Sequence, residues 1–459
     1  MRYDACMAEV RITFNRGARR VTGSNFLVTV ADSTHTTRVL IDCGLAQSGD
    51  VCDPINNEPF AYDPAEIDAV FFTHAHADHI GLFPKLVKMG FTGRAYATEP
   101  TADLMPIMLE DSVALLKHES ERCGGEPVYS ADDLAISLRH IEKVRYHEVV
   151  TVKGVRATFL NAGHILGSAI ILIEAGGKKI LFTGDLGRTP SILVPERETV
   201  VGVDVLVTES VYGNRTHGSI AVSEETLRDA VRATVAKQGV LLIPAFSLER
   251  TQIILAALDR MIGSGEIPHV PVFMDSPLAA RVTEVYTRYP EYLNSSLRER
   301  LEKGDNPFSF ASLKVTVNRE ASSAIDTIAP PKVIIAGAGM SHGGRIRHHE
   351  KIYLSIPTTT LLLVGYQVAG SLGRRLRDGQ KNIEIDGKRI KMRASVGVID
   401  GFSAHADRDD LVAFAEEVAP KRAFVVLGET EAATFLAQRI SGFLGIPVDV
   451  PREGETYEI

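Results

Sequence analysis

The chain has no tryptophan, and aromatic residues make up 7% of its 459 positions. It has no apolar run long enough to span a bilayer, and its start, Met1–Ala5, lacks the apolar core of a signal peptide. A hydrophobic content of 45% with 24% charged residues is typical of a soluble globular protein. We therefore expect a cytoplasmic protein, and the length predicts two or three domains.

Cysteine is also scarce, and its spacing excludes two kinds of site. No two of the four cysteines form a C-x-x-C pair, so neither a disulfide framework nor a cysteine zinc site is indicated. We expect buried free thiols at Cys6, Cys43, Cys52 and Cys123.

Positive charge is not in excess either, since the formal net charge is −8. Phosphate contacts usually come from clustered Lys and Arg, and two local clusters occur, at residues 345–349 and 374–377. An isolated basic cluster is more often a solvated helix face. Charge therefore leaves nucleic-acid binding open without supporting it.

What the chain does have is an unusual density of metal-ligand residues at one point. His74, His76, Asp78 and His79 form an H-x-H-x-D-H cluster directly after the apolar strand predicted at residues 67–72. Imidazole nitrogens and carboxylate oxygens are common zinc ligands, and a site with open coordination positions is catalytic rather than structural. A surface loop that is rich in histidine by chance is improbable at this spacing. The cluster therefore predicts a metal centre where a strand meets a helix.

Two further potential ligands follow later apolar strands. His164 lies between Gly163 and Gly167, and Asp185 follows the strand that ends at Phe182. Each residue alone would more often be a packed histidine or a turn aspartate. Together with the first cluster they complete a two-metal site, in which a bridging carboxylate holds ions roughly 3.5–4 Å apart.

With these motifs the chain resembles the metallo-β-lactamase superfamily, and more narrowly its β-CASP branch of RNA-processing nucleases, which includes relatives of the nuclease subunit of the cleavage and polyadenylation specificity factor. The branch is indicated by Thr208-Glu209-Ser210, Ser403-Ala404-His405-Ala406-Asp407 and several segments between them. The resemblance covers essentially the whole chain, with the motifs in family order. Those intervening segments begin at Ile243, Met274, Gly339 and Val364.

The resemblance implies a fold, a reaction and roles for residues. The fold would be α/β, a four-layer αβ/βα sandwich formed by residues 1–208 and 392–459, with a parallel α/β β-CASP domain inserted at 209–391. The reaction would be endonucleolytic or exonucleolytic hydrolysis of RNA with two zinc ions, in a monomer or a homodimer. Glu209 would orient His405 as the general acid that protonates the leaving oxygen, and Asp78 would act both as ligand and in catalysis. The implied ligands of the two ions are His74, His76, Asp78, His79, His164 and Asp185.

The chain departs from the family at Leu427. RNA-acting members have a histidine ligand of the second metal in a V-H-G-E motif, where this chain reads Val426-Leu427-Gly428-Glu429. A leucine cannot coordinate zinc, so we expect weaker binding at the second site and reduced activity. DNA-acting members also carry an apolar residue there. An inactive relative that binds RNA or a partner is therefore the second hypothesis, and a small-ester or thioester hydrolase of the wider superfamily is the third.

One glycine-rich segment has two interpretations. Residues 333–344 form an apolar strand followed by G-x-G-x-x-x-G, which misses the dinucleotide-binding spacing G-x-G-x-x-G. We prefer a loop whose amides hold a backbone phosphate of RNA. The predicted substrate contacts are Ser341, Gly343, Gly344, Arg345 and Arg374.

Overall fold

A computed structural model describes residues 8–47, 52–368 and 370–459. Cys6 and the segment Met1–Ala5 lie outside these residues. The chain divides into two compact units, the first formed by residues up to Thr216 together with His405–Ile459 and the second by His217–Ala404. These bounds differ from the expected inserted domain at 209–391, since Glu209 belongs to the first unit and residues 392–404 belong to the second.

Strands occur throughout the described residues. They are β1 (Glu9–Arg16), β2 (Asn25–Ala31), β3 (Thr36–Ile41), β4 (Ala69–Phe71), β5 (Arg94–Thr98), β6 (Ile141–Val144), β7 (Val149–Val152), β8 (Val155–Asn161), β9 (Ala169–Ala175), β10 (Lys178–Phe182), β11 (Val205–Thr208), β12 (Val240–Pro244), β13 (Val272–Asp275), β14 (Leu313–Val315), β15 (Lys332–Ala336), β16 (Thr360–Val364), β17 (Asn382–Ile385), β18 (Lys388–Lys391), β19 (Ser395–Ile399), β20 (Arg422–Val425), β21 (Val448–Asp449) and β22 (Thr456–Glu458).

The α-helices of the same residues alternate with these strands. They are α1 (Ala77–Ile80), α2 (Phe83–Lys88), α3 (Glu99–Cys123), α4 (Ala131–Ser137), α5 (Ile220–Ala236), α6 (Arg250–Gly263), α7 (Pro277–Arg288), α8 (Ser295–Glu302), α9 (Arg319–Ala324), α10 (Ile346–Tyr353), α11 (Leu372–Arg377), α12 (Arg408–Val418) and α13 (Thr430–Leu444). None of the helices in the described ranges is both long enough and apolar enough to cross a membrane.

The first unit contains two seven-stranded sheets. Their strand orders are β22-β1-β2-β3-β4-β5-β6 and β21-β20-β11-β10-β9-β8-β7. Alternate residues of both sheets meet in one apolar core, where the rings of Phe71 on β4 and Phe159 on β8 lie 6.1 Å apart. Because the side chains of a strand alternate between its two faces, each sheet has a second apolar face to cover.

Helices cover these outer faces. Helices α1–α4 pack on the first sheet through an apolar cluster that includes Phe83 and Met105. Helices α12 and α13 cover the second sheet through a cluster that includes Phe414 and Leu436. The predicted four-layer αβ/βα arrangement is confirmed.

The second unit is built on a six-stranded sheet with the order β14-β13-β15-β12-β16-β19. Every pairing in this sheet is parallel. Strands β12, β15 and β16 are buried along their whole length, as expected when helices cover both faces of a parallel sheet. The predicted parallel α/β domain is therefore present.

Two local expectations differ from the structure. Helix α1 begins at Ala77, so Asp78 and His79 lie in its first turn instead of in a loop before it. The expectation of four free thiols is wrong, because Cys52 and Cys123 form a disulfide with Cα atoms 5.6 Å apart. A separation of 71 residues along the chain gave no sign of this proximity. Cys43 is a buried free thiol, as predicted.

Candidate metal centre and active site

The H-x-H-x-D-H cluster lies between the end of β4 and the first turn of α1. Thr73 anchors this segment, since its backbone N–H donates to Oδ1 of Asp42 at 2.8 Å. His74 and His79 are fully buried, and Asp78 is partly exposed. The segment is thus fixed at one end by the sheet and at the other by the helix.

Asp185 lies at the centre of the cluster, and its two oxygens face different histidines. Oδ1 is 3.4 Å from Nε2 of His79, whereas Oδ2 is 3.5 Å from Nε2 of His74 and 3.6 Å from Nε2 of His164. Nδ1 of His76 lies 3.0 Å from the same His74 nitrogen. The candidate ligand atoms of His74, His76, His164 and Asp185 all lie within 4.8 Å of one another.

The protonation states of these groups suit a metal site. Burial lowers the pKa of His74, and it lowers the pKa of His76 and His164 well below the usual value, so all three are neutral and have a lone pair to donate. Burial alone would raise the pKa of Asp185, but the neighbouring His79 charge outweighs it and holds that pKa well below the usual range. The set therefore combines neutral imidazoles with an ionised carboxylate, as zinc requires.

His79 gives an independent test of whether the residues fit a cation. Its Nε2 is buried without a hydrogen-bond partner and faces Asp185. Burial lowers the pKa of His79, but Asp185 and Asp42 together raise it well above the usual value. Two carboxylates thus favour a positive charge at this position, either a proton on Nε2 or a metal ion in its place.

Asp42 is a candidate site residue that the sequence analysis missed. It follows β3, is fully buried, and its Oδ2 lies 2.7 Å from Nδ1 of His79. A carboxylate bonded to one imidazole nitrogen fixes the ring and directs the other nitrogen to the metal. The available signal was an aspartate at the end of an apolar strand, which is the position that also marked Asp185.

The predicted acid pair, Glu209 and His405, lies beside this cluster. Nδ1 of His405 is 3.4 Å from Oε1 of Glu209 and 3.8 Å from Oδ2 of Asp185. Backbone N–H groups of Leu186 and Val211 donate to the two Glu209 oxygens, at 2.7 and 3.3 Å. Burial alone would lower the pKa of His405, but the two carboxylates raise it above the usual value.

Backbone pairing brings His405 to Asp185 across a long stretch of sequence. Gly187 and His405 form an isolated antiparallel bridge, and the Ala406 N–H donates to the Leu186 carbonyl at 2.7 Å. A Cβ on Gly187 would stand 1.8 Å from the Gly163 carbonyl oxygen, so a glycine is required here. The loops that carry Asp185, His164 and His405 are therefore in direct backbone contact.

Leu427, which stands where the family has a histidine, is 1% exposed and belongs to the apolar core between the two sheets. Its backbone has φ 49°, and its N–H donates to the Gly17 carbonyl at 2.8 Å. This hydrogen bond to Gly17 holds the backbone of Leu427 in a defined position. The expected effect of this departure on the second metal stays a prediction.

The predicted substrate contacts lie in the second unit and differ in their environments. Ser341 is buried and donates to Oε1 of Glu350 at 2.5 Å, which gives it a structural role. The guanidinium of Arg345 contacts Asp275 at 2.6 Å.

The other members of this predicted set are more accessible. Gly344 is exposed and Gly343 is partly exposed, and neither carries a side chain that could block a ligand. Arg374 has a side chain that is 39% exposed and pairs with Asp378 one turn further along the helix. RNA binding by the predicted set stays a prediction. Gly343, Gly344 and Arg374 are better placed to contact RNA than Ser341 and Arg345, whose side chains are engaged within the protein.

Three family descriptions match successive parts of the chain. The metallo-beta-lactamase superfamily matches residues 19–241, the Beta-Casp domain residues 251–376, and the Zn-dependent metallo-hydrolase RNA specificity domain residues 389–451. A solved protein of unknown function from Enterococcus faecalis has a similar fold, with a TM-score of 0.56 and 12% identity over 98% of this chain and 100% of that chain.

Several curated proteins are similar over nearly the full length of the chain. Ribonuclease TTHA0252 of Thermus thermophilus is 35% identical over 97% of this chain and 99% of its own length. Transcription termination factor FttA of Methanosarcina mazei is 36% identical over 94% of this chain and 69% of its own length. The RNase J-like protein of Methanocaldococcus jannaschii is 34% identical, with coverages of 93% and 95%. The chain therefore belongs to the β-CASP branch of the metallo-β-lactamase superfamily.

Proposed function

We propose that the protein is a zinc-dependent ribonuclease that hydrolyses phosphodiester bonds of RNA. The observation that carries the proposal is the convergence of seven predicted site residues at one centre. Around Asp185 lie His74, His76, His79, His164, Glu209 and His405. A similar protein is named a ribonuclease, and the match to an RNA specificity domain at residues 389–451 supports RNA as the substrate class.

His74, His76 and His164 with Asp185 would hold one ion. The resemblance assigns Asp78 and His79, together with Asp185, to a second ion, and Nε2 of His79 lies 3.4 Å from Oδ1 of Asp185. Zinc at such a site supplies Lewis-acid activation of water and of phosphate oxygens. Three protein ligands are sufficient for a catalytic zinc, so the second set is complete enough without a histidine at Leu427.

Residues of the chain itself would carry out the proton transfer. Glu209, held by two backbone amides, accepts from Nδ1 of His405 and thereby fixes the imidazole ring. The carboxylates of Glu209 and Asp185 raise the pKa of His405, which favours the protonated imidazole. We assign Nε2 of His405 to donate a proton to the leaving ribose oxygen and Asp78 to orient the attacking water.

The test compares cleavage of labelled RNA and DNA by the native chain and by His74→Asn. We expect the native chain to cut RNA faster than DNA, and we expect a chelator to abolish cutting until zinc is restored. His118→Asn is the matched control, because His118 is exposed on α3. Zinc-loaded native protein that cuts no RNA would overturn the proposal and favour the inactive RNA-binding alternative.

A further inference from the structure

A second group of potential metal ligands lies within the second unit and shares no residue with the sites assigned above. It is formed by Asp326, in the turn at residues 325–327, and by His348 and His349 on α10. Nε2 of His348 is 2.7 Å from Oδ2 of Asp326, and Nδ1 of His349 is 3.7 Å from Oδ1 of Asp326. One donor atom from each residue lies within 4.8 Å of the other two.

His349 shows why this group is more than a surface ion pair. Its side chain is completely buried, and its Nε2 lies 2.7 Å from Oδ2 of Asp275. Hydrogen bonds from His349, Ser322 and Thr316 outweigh burial and hold the pKa of Asp275 far below the usual value, so this carboxylate is ionised and accepts a hydrogen bond from the Nε2–H of His349. In the neutral imidazole, the other ring nitrogen, Nδ1, then has a free lone pair.

That nitrogen has no hydrogen-bond partner within the described residues. Buried nitrogens are normally satisfied, so an unpaired one directed at a carboxylate needs an explanation. A cation bound between Nδ1 of His349 and Oδ1 of Asp326 would explain the unpaired nitrogen, because both atoms can donate an electron pair to a metal. Histidines that bind metals usually donate their other ring N–H to a carboxylate, which is the relation between His349 and Asp275.

The surroundings also allow an ion to enter. The side chain of His348 is 44% exposed and that of Asp326 is 24% exposed, so one side of the group faces solvent. The hydroxyl of Tyr353 lies 3.3 Å from Oδ1 of Asp326. Water can therefore complete the coordination of an ion that has three protein ligands.

We propose that Asp326, His348 and His349 bind one divalent transition-metal ion, with two imidazole nitrogens and one carboxylate oxygen as ligands. Zinc fits this donor set, and the ion would fasten α10 to the turn at 325–327. The site is independent of the proposed ribonuclease centre, since it shares no residue with it.

The experiment measures zinc per chain by mass spectrometry after equilibration with zinc chloride and removal of unbound ion. Zinc content is measured for the native chain, His348→Ala and Asp326→Asn, and again with each change in an Asp185→Asn background. We expect each variant to hold one zinc fewer than its parent in both backgrounds. Adding zinc to metal-free protein should also raise the melting temperature of the parent more than that of the variant.

Lys351→Ala is the matched control, because Lys351 lies on the same helix, pairs with Asp386 and is not among the three ligands. It should keep the zinc content and the zinc-dependent rise in melting temperature. Both informative changes are at partly exposed residues, so they should leave the buried His349 and the fold intact. Equal zinc content and equal thermal shifts in the parent, His348→Ala and Asp326→Asn would overturn the proposal.

Discussion

Nδ1 of His79 lies 2.7 Å from Oδ2 of Asp42, and this bond directs Nε2 of the same ring toward Asp185. The same Asp42 carboxylate accepts from Ser24 and from Thr73, so it is fixed from three sides. His79 is therefore held in one orientation before any ion binds, and the orientation depends on a residue outside the ligand motif.

The first prediction follows from that bond. Asp42→Asn keeps a hydrogen-bonding group for Thr73 but removes the negative charge beside His79. We expect the ion held by His79 to be bound about 10–100-fold more weakly, because the ring loses its orientation and some basicity. Competition with a chelator would measure this, with Asp68→Asn as the control, since Asp68 pairs with Lys153 and lies outside the site. Unchanged affinity in Asp42→Asn would mean that Asp42 serves the fold alone.

The second prediction concerns the general acid. His405→Ala should slow RNA cleavage by roughly 10²–10⁴-fold while the zinc content stays unchanged, because a proton donor is lost and no ligand is removed. A ligand role is the alternative to be tested, since Nδ1 of His405 also lies 3.8 Å from Oδ2 of Asp185. Loss of zinc from the variant would show this second role. Glu209→Gln should retain zinc as well, with a lower rate and an altered pH profile of cleavage.

The third prediction concerns Leu427. Leu427→His restores the family's ligand, and we expect it to raise both zinc affinity at the second site and RNA cleavage. Because the residue is 1% exposed, an imidazole without an ion would be a buried polar group and should destabilise the metal-free protein by ~1–3 kcal/mol. Unfolding with and without zinc would measure both effects. Leu427→Ala controls for lost packing, and a zinc response equal in both variants would contradict the prediction.

The fourth prediction concerns stability and pH in the second unit. Burial raises the pKa of Glu350 to about 8, and one of its oxygens has no hydrogen-bond partner among the described residues. An unfolded glutamate titrates near pH ~4.3. Between these two values the folded chain holds a proton that the unfolded chain has released. The free energy of unfolding should therefore fall as the pH rises through this range.

Glu350→Gln removes that titration and keeps an acceptor for Ser341. We expect the variant to gain stability over the native chain as the pH is raised from 5 to 8.5, by on the order of 3 kcal/mol. Chemical denaturation at several pH values would measure the change. Glu320→Gln, at an exposed position on α9, should follow the native curve. Parallel curves for native and Glu350→Gln would contradict the prediction.

The sequence by itself determined the ligand motif and the order of the family's segments, and the resemblance carried by those segments implied the four-layer fold. His74, His76, Asp78 and His79 are close in the chain, so their chemistry was readable from spacing. His164 and Asp185 were readable because each follows an apolar strand, and strand ends are where a sheet presents polar side chains. These signals are local, and local signals survive in a single sequence.

The tertiary structure decided which distant residues meet. The bond of Asp42 to His79, the bridge between Gly187 and His405 and the disulfide of Cys52 with Cys123 join parts of the chain that share no local pattern. The same holds for Asp326 and His349, which look like ordinary helix and turn residues until folding buries one ring nitrogen without a partner. Burial and long-range packing set these relationships, and neither is a property of neighbouring residues.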